Sequence, residues 1–143
     1  MFGKSIFVES SYGRNKGMAM IRIILGLMLI YHGQEVFNKS LMHDYATWDS
    51  LKGPSGLLKV YFGKSSELLA GISLLLGIGT RLGSLLMITT FLYITFFVGN
   101  GRFWYEDQHP FMFVLFGLVY FLNGPGIWSL DRWFFKPKSK RLE

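Results

Sequence analysis

His32 and Glu35 stand three residues apart near the end of one apolar run, and Lys64 and Glu67 stand three apart near the start of the next. A separation of three is close to one helical turn, so each pair shares a helix face, with Gly71 a turn beyond Glu67. Further along, Thr89, Tyr93 and Phe96 fall on one helical stripe, and His109, Phe113, Gly117 and Tyr120 on another. A charge at mid-membrane costs about 2.5–3.5 kcal/mol, so ionisable groups in such runs turn towards the bundle interior and find partners. The pattern describes a cavity lined by His32, Glu35, Glu67, Tyr93, His109 and Tyr120, able to bind a polar or quinone-like ligand or to pass protons. Beside it stands a purely structural reading. Lys64 and Glu67 neutralise each other, His32, Glu35 and Glu106 cap helix ends, and Asp107 starts the helix that Pro110 enters.

Other chemistries are excluded or unsupported. The chain has no cysteine, which removes disulfides, thiol exchange, Cys-ligated zinc and Cys-ligated iron–sulfur clusters. No metal-ligand spacing, nucleophile–base arrangement or phosphate-binding glycine loop is present, because Gly77-Ile78-Gly79 lacks the strand-to-helix context. A haem held by His32 and His109 would need both rings aimed inward from facing helices, and nothing in the spacing requires that. His43 reads as a solvated loop residue. The formal net charge of +6 is gathered beside apolar spans and at the chain ends. That is the pattern of lipid-headgroup attraction and topology control, not of a nucleic-acid arm.

Four spans must position these residues. Of the 143 residues, 50% are hydrophobic, 17% aromatic and 17% charged, and Leu82 to Gly101 and Gln108 to Leu130 carry no Asp, Glu, Lys or Arg. A charge-free stretch of about 18 residues suffices for a helix to cross a hydrocarbon core roughly 30 Å thick. The expected fold is an all-α integral membrane four-helix bundle forming a single domain over residues 1–143, with spans at about 18–37, 57–79, 82–98 and 110–130. Met1 to Gly17 has no apolar h-region and reads as no cleavable signal peptide. Residues 38–56 form a long connecting loop, Gly79-Thr80-Arg81 a tight hairpin, and Gly124-Pro125-Gly126 halts the fourth helix, with Ile127 to Leu130 completing that span or lying along the interface beside Trp128 and Trp133. Ser73 with Gly77, and Gly79 with Gly83, are small-residue pairs that permit close helix packing.

An even number of spans leaves both termini on one side. Lys4, Arg14, Lys16, Arg22, Arg81, Arg132, Lys136, Lys138, Lys140 and Arg141 lie on that side, against Lys39, Lys52, Lys59 and Arg102 on the other. The positive-inside rule puts both termini in the cytoplasm and the His32, Glu35, Lys64, Glu67, Glu106, Asp107 and His109 group towards the outer leaflet.

Three stretches then resemble the DoxX family of small four-helix bacterial membrane proteins: Arg22, Gly26 and Tyr31-His32-Gly33; Glu67-Leu68-Leu69-Ala70-Gly71 through Leu76-Gly77-Ile78-Gly79-Thr80-Arg81-Leu82; and Gly124-Pro125-Gly126-Ile127-Trp128-Ser129-Leu130-Asp131. The resemblance spans about Met20 to Arg132. Where the family often carries a lysine three residues after the glycine of His-Gly, Val36 stands here, with Lys39 one turn later.

The family includes a small subunit of a thiosulfate:quinone oxidoreductase and membrane partners of redox-stress enzymes. The resemblance therefore implies a bacterial inner-membrane subunit associated with redox chemistry, lying in the lipid bilayer, with quinone as the small molecule and a membrane or soluble redox protein as partner. On that reading Glu67 and His32 are the catalytic pair that exchanges protons with the ligand. Glu35, Lys64 and His109 contribute polar contacts, and Tyr93, Phe113 and Tyr120 pack a ring. A non-catalytic scaffold for another membrane protein is the first alternative, using residues 38–56 and the basic tail Lys136 to Arg141 as contact surfaces. A proton-coupled carrier is the second, disfavoured because four spans without an inverted repeat make a poor alternating-access machine.

Overall fold

The computed structural model describes residues 11–135, with side chains from Arg14; Lys4 and the basic tail from Lys136 lie outside the described residues. Every regular element among them is helical. Helix α1 (Ser11–Gly33) continues through a 3-10 turn (Gln34–Phe37) into the short α2 (Lys39–Ala46); α3 (Gly56–Leu76), α4 (Thr80–Tyr93) with a π-helical extension (Ile94–Val98), α5 (Gln108–Asn123) and the short α6 (Leu130–Phe134) follow. Two stretches, Arg14–Phe37 and Thr80–Val98, are long and apolar enough to cross a membrane, with mean hydropathies of 1.3 and 1.6, while Gln108–Asn123 is a shorter apolar helix.

Helix α1 packs along α3, α3 against α4, and α4 against α5. One core joins all four: Leu25 and Leu29 of α1, Ala70 and Leu74 of α3, Met87, Ile88 and Phe91 of α4, and Phe113, Val114 and Tyr120 of α5. Large apolar side chains on the outer surface remain exposed, among them Leu58, Phe62, Leu69, Leu82 and Leu122.

Glycine decides how closely the helices approach. A Cβ on Gly26 would come within 2.6 Å of the backbone nitrogen of Leu75, and one on Gly71 within 2.8 Å of that of Ile30. Gly33 likewise has no room for a side chain beside Leu68. Real Cβ contacts are essentially never that short, so α1 and α3 can lie this close only because α1 has glycine at 26 and 33 and α3 has glycine at 71. The small residues Ser73 and Gly83 meet between α3 and α4, and Gly117 of α5 sits against Met87 and Ile88 of α4.

Several boundaries differ from the expected spans. The first helix begins upstream of residue 18, and α3 ends at Leu76 because Gly77 adopts the left-handed conformation (φ 65°) of a Schellman cap, with Ile78 N–H donating to Ser73 O at 3.1 Å. Helix α5 ends at Asn123, so Ile127 to Leu130 do not complete it; residues 124–129 instead run as non-helical chain that the guanidinium of Arg22 holds. Fully buried, Arg22 donates to the carbonyls of Pro125 and, at 2.6 Å, Trp128. Residues 38–56 are no plain loop. Asn38 caps α2 by accepting from Leu41 N–H at 3.3 Å, and Met42 joins Leu51 of the following turn and Val60 of α3 in a second, smaller core. His43, exposed as expected, sits on that helix.

Candidate functional site

A cavity of about 760 Å³ opens between the end of α1, α2, the first half of α3, the second half of α4 and the start of α5. His32, Lys64, Glu67, Tyr93 and His109 line it, together with Tyr45, Trp48, Thr89, Thr90 and an apolar wall that includes Leu58, Phe62, Ile94 and Val98.

Each polar side chain arrives there for a local reason. His32 is in the last turn of α1, and the close approach at Gly33 sets that turn against α3, where Lys64 Nζ lies 3.5 Å from His32 O. The i, i+3 spacing of Lys64 and Glu67 puts Nζ 3.1 Å from Glu67 Oε2. Glu35, just past the end of α1, reaches the same ammonium at 2.8 Å. Lys64 is thus held between two carboxylates, with side-chain exposures of 17% for the lysine, 6% for Glu67 and 25% for Glu35. Desolvated charges persist only when paired and hydrogen-bonded, and this cluster meets that condition.

Tyr45 of α2 completes it by donating from its hydroxyl to Glu35 Oε2 at 3.0 Å, while its ring lies 5.4 Å from Lys64 Nζ. Burial, and after it the hydrogen bond to the Glu35 carboxylate, pushes the Tyr45 phenol above its ordinary value. The rings of His32 and His109 face each other edge-on with centroids 6.4 Å apart, and His109 in turn packs edge-on against Phe113 at 5.5 Å. The wall is therefore mostly hydrocarbon, and one end carries a carboxylate, an ammonium and two imidazoles.

Not every expected residue belongs to this group. Glu35 is not on the cavity wall; it lies behind Lys64 and Tyr45, which are. Phe113 is core, stacked on Phe91 at 4.5 Å, and supports His109 from below. Tyr120 is at the opposite end of the bundle: its hydroxyl donates to Met18 O at 2.7 Å, near the beginning of α1. The stripe from His109 to Tyr120 does face inward, but eleven residues at about 1.5 Å each separate its two ends by roughly 16 Å. On α4 the stripe breaks after Tyr93. The π-helical turn rotates the register, leaving Thr89 and Tyr93 on the cavity while Phe96 turns outward to Phe103. Asp107 makes no side-chain cap on α5; its Oδ2 accepts instead from the N–H groups of Asn100 and Arg102, both at 2.9 Å, and closes the loop between α4 and α5. Glu106 pairs with Arg102 at 2.9 Å. Among the described residues no group of His, Asp and Glu is arranged to hold a metal ion.

Residues 38–56, expected as loop, contain α2 and its contribution to the cluster. Its signal was present: an Asn N-cap followed by Leu41, Met42, Tyr45 and Ala46, two apolar pairs at i, i+4.

The family model named DoxX matches residues 17–100, more than half of the chain and all of α3 and α4. Comparison with curated proteins and with solved structures produced no match.

Proposed function

Because the chain belongs to the DoxX family, we propose that it is a four-span protein of the bacterial inner membrane, both termini cytoplasmic, that binds a quinone-type ligand in its outer-end cavity. Helices α1 and α4 with its extension have the length and hydropathy for spanning. Helix α3 has the length, and pairing of Lys64 with Glu67 and Glu35 lowers the cost of its charges. At 16 residues α5 covers about 24 Å, and the exposed Trp128, Trp133 and Phe135 beyond it suit the headgroup level. A C-terminal reporter active only outside the cytoplasm should be silent; activity would overturn the orientation.

The observation that carries the ligand reading is the cavity, whose 760 Å³, hydrocarbon wall and single polar end match the general anatomy of small-molecule sites. An amphiphile with a polar ring head and an apolar tail fits it: head against His32, Glu67 and His109, tail along Leu58 and Phe62 towards the exposed surface of α3. When bound, a quinone would supply reversible uptake of two electrons and two protons. The residues would hold and move the protons. Glu67, a carboxylate paired with Lys64, can take up a proton from an oxygen of the reduced ligand and return it, and His32 can do the same at its ring nitrogens. Tyr93, on the opposite wall, packs the ring face. With no sulfur centre in the chain, electrons must leave through the ligand or a partner protein.

Protein purified in a mild detergent should release a quinone on solvent extraction, detectable by absorption and mass. Glu67→Gln and His32→Ala should each abolish that retention. Unchanged retention and activity in both variants would put the site elsewhere.

One observation favours the scaffold reading instead. Lys64 is already fully engaged by Glu35 and Glu67, as in a structural cluster. A preparation that retains a partner protein but no small molecule, in wild type and in Glu67→Gln alike, would select it.

A further inference from the structure

The end of the bundle opposite the cavity has a pocket of its own. It measures about 420 Å³, lies where the α3–α4 turn meets the start of α6, and is lined by Thr80, Arg81, Leu82, Asp131, Arg132 and Phe135 among others. Two guanidiniums are thus brought to one pocket from positions far apart in the chain. Both residues are exposed, and among the described residues neither guanidinium has a hydrogen bond or ion pair.

The acid that could neutralise them is committed elsewhere. Asp131 spends its two carboxylate oxygens on the N–H groups of Gly79 and Thr80, at 2.7 and 3.0 Å, where it caps the first turn of α4. It also faces the buried charge of Arg22. One carboxylate set against Arg22, Arg81 and Arg132 leaves this end of the molecule with positive charge and unused donors.

A second observation points to a missing acceptor. Thr80 lines the pocket and is fully buried, yet its Oγ1 has no hydrogen-bond partner among the described residues. A buried hydroxyl without a partner is uncommon in folded proteins. The apolar part of the rim, Leu82 and Phe135, is exposed by 75% and 78%, which suits contact with a molecule that has hydrocarbon next to its anionic group. Guanidinium forks match phosphate oxygens in geometry and charge, and basic pockets on the cytoplasmic side of helix bundles recognise lipid head groups.

We propose that the pocket between Arg81 and Arg132 holds the phosphate of an anionic phospholipid of the cytoplasmic leaflet. The phosphate oxygens take the two guanidiniums, and the glycerol and first methylenes lie on Leu82 and Phe135. The site rests on the membrane reading and orientation given above, but not on the quinone reading.

Native mass spectrometry of the protein released from nanodiscs of equimolar phosphatidylglycerol and phosphatidylcholine tests it. Wild type should retain phosphatidylglycerol in preference. Each basic residue near a lipid surface contributes roughly a factor of five, so Arg81→Gln/Arg132→Gln should lower that preference by about twenty-five-fold, and Arg81→Lys/Arg132→Lys should keep most of it. Arg102→Gln, at the other end of the molecule and paired with Glu106, should leave it unchanged. Equal retention of both lipids by wild type would overturn the site without requiring any variant to fold. So would an equal loss in Arg102→Gln, or displacement of the retained lipid by inorganic phosphate alone, which would reassign the pocket to free phosphate. Protein that leaves the membrane fraction in alkaline carbonate without detergent would instead reject the membrane reading itself.

Discussion

The ammonium of Lys64 on α3 lies 2.8 Å from the carboxylate of Glu35, just beyond the end of α1. Glu67 holds the same nitrogen from the other side at 3.1 Å. One lysine therefore ties the first and third helices together at the mouth of the cavity and keeps two carboxylates in close company.

Removing it should be costly. Lys64→Met leaves Glu35 and Glu67 facing each other without a cation, and breaking a buried charge cluster by deleting one partner typically costs about 3–5 kcal/mol. Because Glu35 keeps some solvent contact, the lower end of that range is expected. Thermal unfolding in detergent measures it, and Lys64→Met/Glu67→Gln should recover part of the loss; an unaltered melting temperature in Lys64→Met would show the cluster to be energetically idle.

Tyr45 should make stability fall in alkaline solution. Its phenol is raised above 10 by burial and by its bond to Glu35. In the interval between 10 and the raised value the unfolded chain has lost its phenolic proton while the folded chain still holds it, so unfolding is favoured as pH rises. The contribution is complete below pH 10 and disappears as pH climbs through the folded value. Tyr45→Phe should lose about 1 kcal/mol near neutrality and show a flatter alkaline limb in a pH series of unfolding curves.

Two glycines on neighbouring helices should respond in opposite ways to the same methyl group. Gly26→Ala would push α1 from α3, because the new Cβ meets Leu75 backbone at 2.6 Å, and overpacking of this kind costs roughly 1–3 kcal/mol. Gly63→Ala meets nothing within 4 Å and lies inside α3, where alanine is favoured over glycine by about 1 kcal/mol. Melting temperatures of the two variants should move apart; a common shift would contradict the close approach of α1 and α3.

Asp131→Ala should loosen the end opposite the cavity. It removes both acceptors from the first turn of α4, and loss of a helix cap costs about 0.5–2 kcal/mol. Arg22→Met should act on the same region by releasing the carbonyls of Pro125 and Trp128. Limited proteolysis should then cleave within residues 124–129 faster in either variant than in wild type, while ligand retention at the distant cavity should persist.

Much of this is legible in the sequence. The i, i+3 spacing that joins Lys64 to Glu67 is a property of the helix itself, and the inward stripe of α5 follows from its periodicity. The expected place of Tyr120 fails for an equally plain reason: periodicity reports the face of a residue and is silent about its height, so a stripe about three turns long reads as one site. Phe96 fell off its stripe because a π-helical turn changes the angle per residue, and nothing local in Ile94 to Val98 announces that turn. Asp131 and Arg22 were recognised as parts of motifs, but their work is done across the fold, on backbone groups of residues 77–80 and 125–128.

By its own composition and spacing, the amino-acid sequence determined the helical fold class, the apolar runs, the pairing of Lys64 with Glu67 and the absence of cysteine chemistry, because these depend on residue type and on interactions within one or two turns. Only the tertiary structure decided that α2 forms and supplies Tyr45 to the cluster, that Tyr120 stands at the far end, and that Arg81 and Arg132 share a pocket. Those outcomes depend on how closely glycine lets helices approach and on which distant backbone groups find a partner, and such long-range contacts leave no periodic trace along the chain.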